Sequence, residues 1–319
     1  MSLVSLASTR LTLLAIASLA IGVAWFHATD GASRAWVAGP LLLLTLNLGA
    51  AVLCNASFRA ELPLLAFHIA LFAIVALAAA GQLTFLKGRL ELAEGEVFAG
   101  ELAHVTSGPL HAGSLAGVRF VNDGFSIRYA PGLKRAETHN PVRVFDGAGG
   151  VAGRVIADND PLQVDGYRFY PSFNKGFSLV FRWHPPRGAP ERGTVNLPAY
   201  PLHEYRQALE WRLPGGGPAV WTMLHFDRPP LDEARETWFG KPESHHVVLR
   251  AGDARWELRP GAQVSLASGV LAYEGLSTWM GYNVFYDWTL PWLLAACVTA
   301  VASLAWHFAR KFARQPWDA

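Results

Sequence analysis

The sequence predicts an integral membrane protein with four transmembrane helices. A large extracytoplasmic antiparallel β domain, sandwich-like or a partial barrel, is predicted between helices 3 and 4. Three observations predict this fold class. The 319 residues are 51% hydrophobic and only 16% charged, whereas soluble domains have roughly 25% charged residues. The apolar residues are concentrated in four blocks. Residues 87–287, between the third and fourth blocks, instead show short alternating stretches separated by Gly and Pro, a pattern typical of strands.

Four blocks are candidates for membrane-spanning helices, because crossing a hydrocarbon core of ~30 Å takes about 20 mostly apolar residues. The first block is short, and it reaches that length only if the apolar residues before it extend the helix. A cleaved signal peptide is disfavoured, since Ala24–His27 is a poor cleavage site and a second apolar block follows at once. We expect helices over about 3–27, 35–55 and 62–86, and a fourth from 288, followed by a basic tail to 319.

The orientation follows from the positive-inside rule. Arg10 precedes helix 1, Arg59 lies between helices 2 and 3, and three basic residues follow helix 4: Arg310, Lys311 and Arg314. Both termini are therefore predicted to be cytoplasmic, with residues 87–287 on the other side. The net charge of +2 and the lack of a dense basic stripe give no reason to expect a nucleic-acid partner.

The two cysteines, Cys54 and Cys297, fall inside predicted membrane helices, and the external segment has none. The sequence therefore predicts no disulfide framework and no Cys-x-x-Cys redox pair. We expect both thiols to be small buried hydrophobes.

Turn residues in the external segment predict three hairpins. Their turns are Asn122–Gly124, between strands at 118–122 and 125–129, then Asp146–Gly150, between 142–145 and 151–156, and Asn174–Gly176, between 167–170 and 177–183. The Pro-, Gly- and Arg-rich stretch 185–201 could link two β subdomains. Residues 231–239 are the one stretch here predicted to be helical.

The external segment contains no Gly-x-Ser-x-Gly, P-loop or His-Glu-x-x-His motif. Asp158, Asp160 and Asp165 suit turns better than a calcium loop. The neighbouring His245 and His246 would face opposite sides of a strand, so we expect them to be solvated rather than to chelate one ion. No catalytic residue is predicted.

His68 is the most informative residue, because it is the one ionisable side chain in the apolar run 62–80. An intramembrane ionisable residue is costly and indicates a functional site. It lies about 10 Å along the helix from Glu61. Imidazole is an axial ligand of haem iron. The alternative is packing, with a hydrogen bond to Thr45 or Asn47 of helix 2.

His307 is the other histidine deep in a membrane segment, and the alternative for it is interfacial snorkelling beside Arg310. The many alanines around His68 either permit close helix approach or leave space for a flat ligand. Before helix 4 the chain is rich in aromatic residues, and Trp288 and Trp292 suit an aromatic belt at the membrane interface.

Three local matches and the order of the elements carry a resemblance to a known family. The matches are helix 3 with His68 followed by residues 88–96, residues 159–170, and the junction 279–292 with its Tyr286-Asp287 step. Three helices, a large external β domain and one closing helix form the plan of the ResB/Ccs1 proteins of system II cytochrome c biogenesis. The chain resembles this family over nearly its whole length, with a compact external domain.

The resemblance implies a function in the bacterial inner (plasma) membrane. Family members work with a CcsA-type membrane protein, which bears a Trp-rich haem-handling motif, to export haem to apocytochrome c thiols. Their helix-3 histidine is regarded as a haem ligand, and His68 matches it. His307 is a second, weaker haem-ligand candidate. Haem would be transient cargo, and metal would be held through haem iron only. The chain would be an assembly subunit rather than an enzyme, since it lacks the partner's Trp-rich segment, and thiol-reducing proteins would be further partners.

Two other functions stay open at this point. The first is a membrane-anchored β-domain scaffold that recruits partners without binding haem, with His68 as a packing residue. The second is a transporter, which the near absence of polar residues in the four helices disfavours.

Overall fold

The computed structural model describes residues 3–29, 34–146 and 149–314. The last part of the predicted basic tail, 315–319, lies outside these residues. The helices are α1 (Leu3–Leu6), α2 (Thr9–Ala28), α3 (Ala35–Cys54), α4 (Ala56–Arg59), α5 (Leu62–Thr84) and α6 (Leu290–Arg314). Four of them, α2, α3, α5 and α6, are long and apolar enough to cross a membrane. The prediction of four such helices is confirmed.

The first predicted helix, 3–27, is interrupted at Ala7 and Ser8. Ser8 has an extended backbone, and its Oγ accepts a hydrogen bond from the backbone N–H of Leu11 at 3.3 Å. A serine in this position satisfies a donor of the first helical turn and so begins a new helix. The short α1 therefore stays separate from α2.

The membrane helices pack in series: α2 against α3, α3 against α5, and α5 against α6. Gly22 permits the first contact, because a Cβ there would collide with the main-chain oxygen of Trp36. Asn47 of α3 is buried, accepts a hydrogen bond from Thr12 of α2 at 2.7 Å, and donates one to the carbonyl of Leu6 at 2.5 Å. The outer members of the series, α2 and α6, expose large apolar side chains, as lipid contact requires.

Cys54 and Cys297 are both exposed on the helical surface. The prediction that they are buried is wrong. Helices arranged in series leave outward faces on α3 and α6, and an apolar residue in a membrane helix does not need protein packing to avoid water.

The strands follow α5 in sequence and precede α6. They are β1 (Leu86–Ala93), β2 (Val97–Phe98), β3 (His104–Ser107), β4 (Arg119–Asn122), β5 (Ser126–Ala130), β6 (Lys134–Phe145), β7 (Val151–Ile156), β8 (Leu162–Val164), β9 (Tyr167–His184), β10 (Glu191–Asn196), β11 (Ala208–Arg212), β12 (Ala219–Phe226), β13 (Thr237–Phe239), β14 (His245–Ala251), β15 (Ala254–Leu258), β16 (Gln263–Leu266) and β17 (Gly269–Tyr286).

These strands form three sheets. The first has the order β10-β9-β17-β1-β3, with β16 paired to β17 and β8 to β9. The second is β11-β12-β14-β15, and the third is β13-β5-β6-β4-β2, with β7 paired to β6. The pairings within the second and third sheets are antiparallel, which confirms the predicted presence of antiparallel sheets.

One predicted hairpin is confirmed and two are wrong. Strands β6 and β7 pair around the turn at 146–150, of which residues 147–148 lie outside the described part. Strands β4 and β5 do not pair with each other, because each pairs with a different half of the 12-residue β6. The third pair is one continuous strand, β9, in which the carbonyl of Lys175 accepts a hydrogen bond from Tyr200 N–H at 2.9 Å.

Residues from all three sheets share one hydrophobic core, which includes Ile127, Phe177, Phe239 and Val247. The stretch 185–201, predicted as a linker, contains β10, which pairs with β9. Residues 231–239, predicted as helix, end in strand β13, because Phe239 is buried in the core and pairs through its backbone with Ile127.

The chain divides into two compact units. The helical unit comprises Met1–Leu86, Thr106–Gly113 and Tyr286–Ala319, and the β unit comprises Lys87–Val105 and Ser114–Phe285. Thr106–Gly113 lies within the strand-rich part of the sequence but belongs to the helical unit.

Candidate functional site

His68 lies two turns from the start of α5 and is half-buried. Its Nδ1 is 2.7 Å from the main-chain oxygen of Leu64, one turn earlier. A carbonyl oxygen only accepts hydrogen bonds, so Nδ1 is the protonated nitrogen of the neutral ring. The lone pair is then on Nε2, the nitrogen that can bind a metal. Such a contact to a backbone carbonyl is the usual support of a metal-binding histidine, since it fixes the tautomer and the ring orientation.

Two phenylalanines hold the His68 ring. Phe58 of α4 stacks on it, with ring centroids 3.9 Å apart and planes 16° apart. Phe67 meets it edge-on at 5.4 Å. Stacking covers one face of the imidazole and restricts its rotation. Within residues 3–29, 34–146 and 149–314, no hydrogen bond engages Nε2.

The predicted packing partners of His68 are engaged elsewhere. Thr45 donates to the carbonyl of Leu41, one turn earlier, at 2.8 Å. The amide of Asn47 is satisfied by Thr12, Leu6 and Ser8. His68 therefore forms no hydrogen bond with Thr45 or Asn47, the two residues of α3 predicted to be its packing partners. His68 is supported by its own helix instead.

The alanines near His68 divide between two environments. Ala70 and Ala79 are buried and serve helix packing. Ala66, Ala73 and Ala76 are half-buried. The buried alanines thus allow close helix contact. The half-buried alanines remain partly exposed along the surface of α5.

His307 lies near the end of α6, and its Nδ1 is 3.2 Å from Oε2 of Glu61, the residue that precedes α5. The distance is that of an ion pair, although the geometry is not that of a hydrogen bond. No ring or hydrogen-bond contact joins His307 to His68 in the part of the chain that the structure describes. The two candidates are therefore held separately, and Glu61 ties His307 to the start of α5.

Phe58 and Glu61 carry no sequence signal for their roles. Phe58 lies in a four-residue helix, ten positions before His68. Glu61 and His307 are far apart in the sequence, in front of α5 and near the end of α6. Neither separation is a helical or strand period, so both contacts depend on tertiary structure.

The adjacent histidines of β14 lie in different environments. His245 is buried, with its Nε2 2.9 Å from the Tyr273 hydroxyl, and burial lowers its pKa. His246 stacks on His225 of β12, with ring centroids 5.0 Å apart. The prediction that both are solvated is wrong for His245, whose side chain enters the core. Among the described residues, no group of three or more His, Cys, Asp or Glu side chains could hold a metal ion.

Comparison with known proteins decides the family. A family model described as the ResB-like family matches residues 49–315. The chain belongs to the ResB-like family. The match covers Phe58, Glu61, His68 and His307, and it confirms the resemblance found in the sequence. Membership places this ResB-like chain among proteins of cytochrome c biogenesis.

One solved structure is similar to the ResB-like chain at a low level. It is described as "Cytochrome c Heme Lyase CcmF", is 12% identical, and aligns over 93% of this chain and 34% of its own length, with a TM-score of 0.28. The ResB-like chain thus spans about a third of that protein, and this score does not establish a shared fold. A search of curated proteins finds no match.

Proposed function

We propose that this ResB-like chain is a cytochrome c assembly factor that carries haem across the membrane, with His68 as an axial ligand of the haem iron. The observation that carries the proposal is the 2.7 Å contact between His68 Nδ1 and the Leu64 carbonyl. It leaves Nε2 as the basic nitrogen in an apolar segment, the arrangement of an iron-binding imidazole.

The residues around His68 fit haem better than a free metal ion. A structural zinc site needs about four protein ligands, whereas haem brings four nitrogens and takes one or two axial ligands. Phe58, Phe67 and the half-buried alanines of α5 offer apolar surface to a flat ring. Haem would supply the iron and the cargo. His68 would orient it, and the second axial ligand would come from another chain.

The location follows from the charges at the helix ends. We place the chain in the bacterial inner membrane, with both termini cytoplasmic and residues 87–287 periplasmic. Arg59 lies just before α5, so His68 falls in the cytoplasmic half of the membrane, where haem would enter. Helices α2 and α6 would contact lipid through their exposed apolar faces.

The proposed partners are a CcsA-type membrane protein, apocytochrome c and thiol-reducing proteins. The β unit contains no cysteine, so it supplies no thiol to reduce the apocytochrome. It would serve instead to dock one of these partners. Any haem lyase activity would require the CcsA-type protein.

The test is an absorption spectrum of the full chain purified with its CcsA-type partner, comparing wild type with His68→Ala. We expect His68→Ala to lose most of the Soret absorbance per protein, and added imidazole to restore part of it. His27→Ala, at the opposite end of the helical unit, is the matched control and keeps wild-type absorbance. Equal Soret bands in wild type and His68→Ala would rule out the ligand role.

A scaffold without haem is the second candidate, favoured by the stacking of Phe58 on His68, which is also a packing contact. It predicts that His68→Ala leaves cytochrome c maturation intact in cells. The haem proposal predicts that maturation is lost while the protein still reaches the membrane.

A further inference from the structure

Two sheets of the β unit end in strands with a free edge, and both strands border one cavity. Strand β10 is the last strand of the first sheet, and β11 is the last strand of the second. In the part of the chain that the structure describes, no further strand pairs with either. The cavity has a volume of about 290 Å³ and is lined by residues of both strands. A free edge presents unpaired main-chain N–H and C=O groups, so it is a template for another extended chain.

The register of β10 shows which of its main-chain groups are unpaired. It runs antiparallel to β9 without a register shift. Just beyond it, Leu197 N–H donates to the carbonyl of Phe177 at 3.0 Å and continues that register. In an antiparallel pair, residues that bond to the partner strand alternate with residues whose N–H and C=O point away from it. Counted back from Leu197, the main-chain groups of Thr194 and Arg192 therefore point to the free edge.

Gly193, between these two residues, leaves a core position of the edge strand empty. Side chains alternate between the faces of a strand, so Gly193 shares its face with Val195, which is buried in the hydrophobic core. A Cβ at Gly193 would meet no atom within 4 Å. The cavity lies here, and its apolar walls include Phe181 and Trp183 of β9. The core of the β unit thus has room for one more side chain at its free edge.

Trp211 of β11 borders the cavity from the second sheet. Its ring stacks on Phe181, with centroids 5.3 Å apart and planes 29° apart. The indole N–H is shielded from solvent and finds no acceptor among the described residues. A buried indole N–H usually has an acceptor, and leaving it without one is costly. A peptide carbonyl entering beside Trp211 would remove that cost.

We propose that an extended segment of apocytochrome c binds here, as a strand added to the free edge of β10. The inference rests on the proposed function, in which apocytochrome c is a partner, and it names the surface and the mode of binding. The main-chain groups of Arg192 and Thr194 would bond to the segment. One large apolar side chain of the segment would fill the space left by Gly193. In this mode the main chain supplies affinity, and pockets for alternate side chains supply specificity.

The chemistry of the occupant follows from what the edge and the cavity lack. Unpaired N–H and C=O groups in a row are matched by an extended backbone. Haem binds the folded state of a cytochrome and stabilises it by linkage, so the chain without haem offers extended segments that the folded holoprotein does not. A second copy of this chain fits less well. The core-facing residues of its own β10 are Glu191, Gly193 and Val195, and none is a large apolar side chain free to enter the cavity.

The test is binding of fluorescently labelled apocytochrome c, with its thiols alkylated, to the detergent-solubilised full chain, followed by fluorescence anisotropy. We expect the wild type to bind apocytochrome c and not folded holocytochrome c. Gly193→Val fills the cavity without a clash and should weaken binding about tenfold or more. Thr194→Pro removes an N–H that points away from β9, so the sheet tolerates it, and binding should weaken by a similar factor. Thr194→Ala keeps that N–H and is the matched control, with affinity within about twofold of wild type.

Thermal melts of the same variants confirm that each is folded. Wild-type affinity in both Gly193→Val and Thr194→Pro would overturn the edge site, and wild-type affinity in Gly193→Val alone would overturn the use of the cavity. Equal losses in Thr194→Ala and Thr194→Pro would overturn main-chain pairing. Equal binding of holocytochrome c would overturn recognition of an extended segment. A wild-type dimer that Thr194→Pro abolishes, seen by size-exclusion chromatography, would make a second copy the occupant.

The same measurements separate this inference from the proposed function. His68→Ala should bind apocytochrome c as the wild type does, because His68 lies outside the β unit. Wild-type Soret absorbance in His68→Ala would overturn the haem-ligand role and leave the edge site standing. Loss of Soret absorbance in His68→Ala, with wild-type apocytochrome affinity in both β10 variants, would overturn the edge site and leave the haem-ligand role.

Discussion

Nδ1 of His307 lies 3.2 Å from Oε2 of Glu61, so the last turns of α6 are tied to the residue that begins α5. The two side chains are 20% and 38% exposed. Ion pairs of this exposure contribute about 0–1 kcal/mol. The contact therefore positions two helix ends rather than holding the helical unit together.

His307→Gln is expected to keep the haem absorbance of the wild type, because the Glu61 contact uses His307 for helix attachment. The melting temperature of the solubilised protein should fall by only a few degrees, in line with about 0–1 kcal/mol. The measurement is a Soret spectrum alongside a thermal melt. Glu61→Gln is the matched variant and should behave alike. A loss of haem as large as that of His68→Ala would make His307 a ligand.

Phe58→Ala is expected to weaken haem binding at His68 several-fold, because the imidazole loses the ring that restricts its rotation. The Soret position should stay that of the wild type, since the iron ligand is unchanged. Hemin titration measures both quantities. Phe67→Leu is the comparison and should weaken binding less, because leucine keeps apolar surface beside the haem and an edge contact restricts the imidazole less than stacking does. An unchanged affinity in Phe58→Ala would show that stacking does not orient His68.

The four apolar spans could be predicted from the sequence, because lipid demands long apolar helices. The same constraint singles out His68 as a candidate, because an ionisable side chain is costly in a membrane helix. The environment of His68 could not be predicted, since Phe58 reaches it by tertiary packing. The wrong hairpins have a similar cause. Asn122–Gly124 and Asn174–Gly176 have turn composition, but strand pairing depends on distant partners, and β6 and β17 provide them.

The split of the first helix and the course of Thr106–Gly113 also could not be predicted from local chemistry alone. Ser8 could extend a helix or cap one, and its backbone settles the choice. His111 carries no signal in sequence, because it lies in a polar segment far from α5. Only the contact with Thr84 places it at the end of the helical unit.

Lys175 should make the stability of the β unit depend on pH. It is 2% exposed, and its ammonium lies 3.3 and 3.5 Å from the carbonyls of Ser172 and Phe173 and 5.6 Å from the ring centroid of Phe173. Burial, with a smaller effect of Arg135, lowers its pKa to about 7. Between about pH 7 and 10.5 the unfolded chain binds one more proton than the folded chain, so stability rises with pH across this window. Below about pH 7 the full cost of the buried charge is present.

Lys175→Met is therefore expected to stabilise the protein by a few kcal/mol below about pH 7, with the gain shrinking toward pH 10. Thermal melts of the full chain between pH 6 and 10 measure the difference from wild type. Lys134→Met, an exposed lysine of β6, is the control and should shift little. If the melting temperatures of wild type and Lys175→Met differ by the same amount at every pH in this range, the buried charge is contradicted.

A buried polar network joins β17 to three other strands of the β unit, β6, β4 and β1, and should be among its most sensitive points. The Tyr282 hydroxyl donates to Oδ1 of Asn140 at 2.7 Å, and Nδ2 of Asn140 donates to Oδ1 of Asn122 at 2.8 Å. Asn122 in turn donates to the carbonyl of Leu92 at 3.0 Å. All three side chains are at most 1% exposed, so a polar group that loses its hydrogen-bond partner cannot replace it with water.

Tyr282→Phe removes one donor and should cost about 1–2 kcal/mol of unfolding free energy. Asn140→Ala should cost about 2–4 kcal/mol, because it leaves both the Tyr282 hydroxyl and the Asn122 oxygen short of a partner and opens a cavity. Thermal or urea unfolding of the full chain, followed by Trp fluorescence, measures both losses. The double variant should lose less unfolding free energy than the sum of the two single-variant losses, because each single change already breaks the hydrogen bond between Tyr282 and Asn140. Strict additivity would show that the hydroxyl and the amide contribute independently.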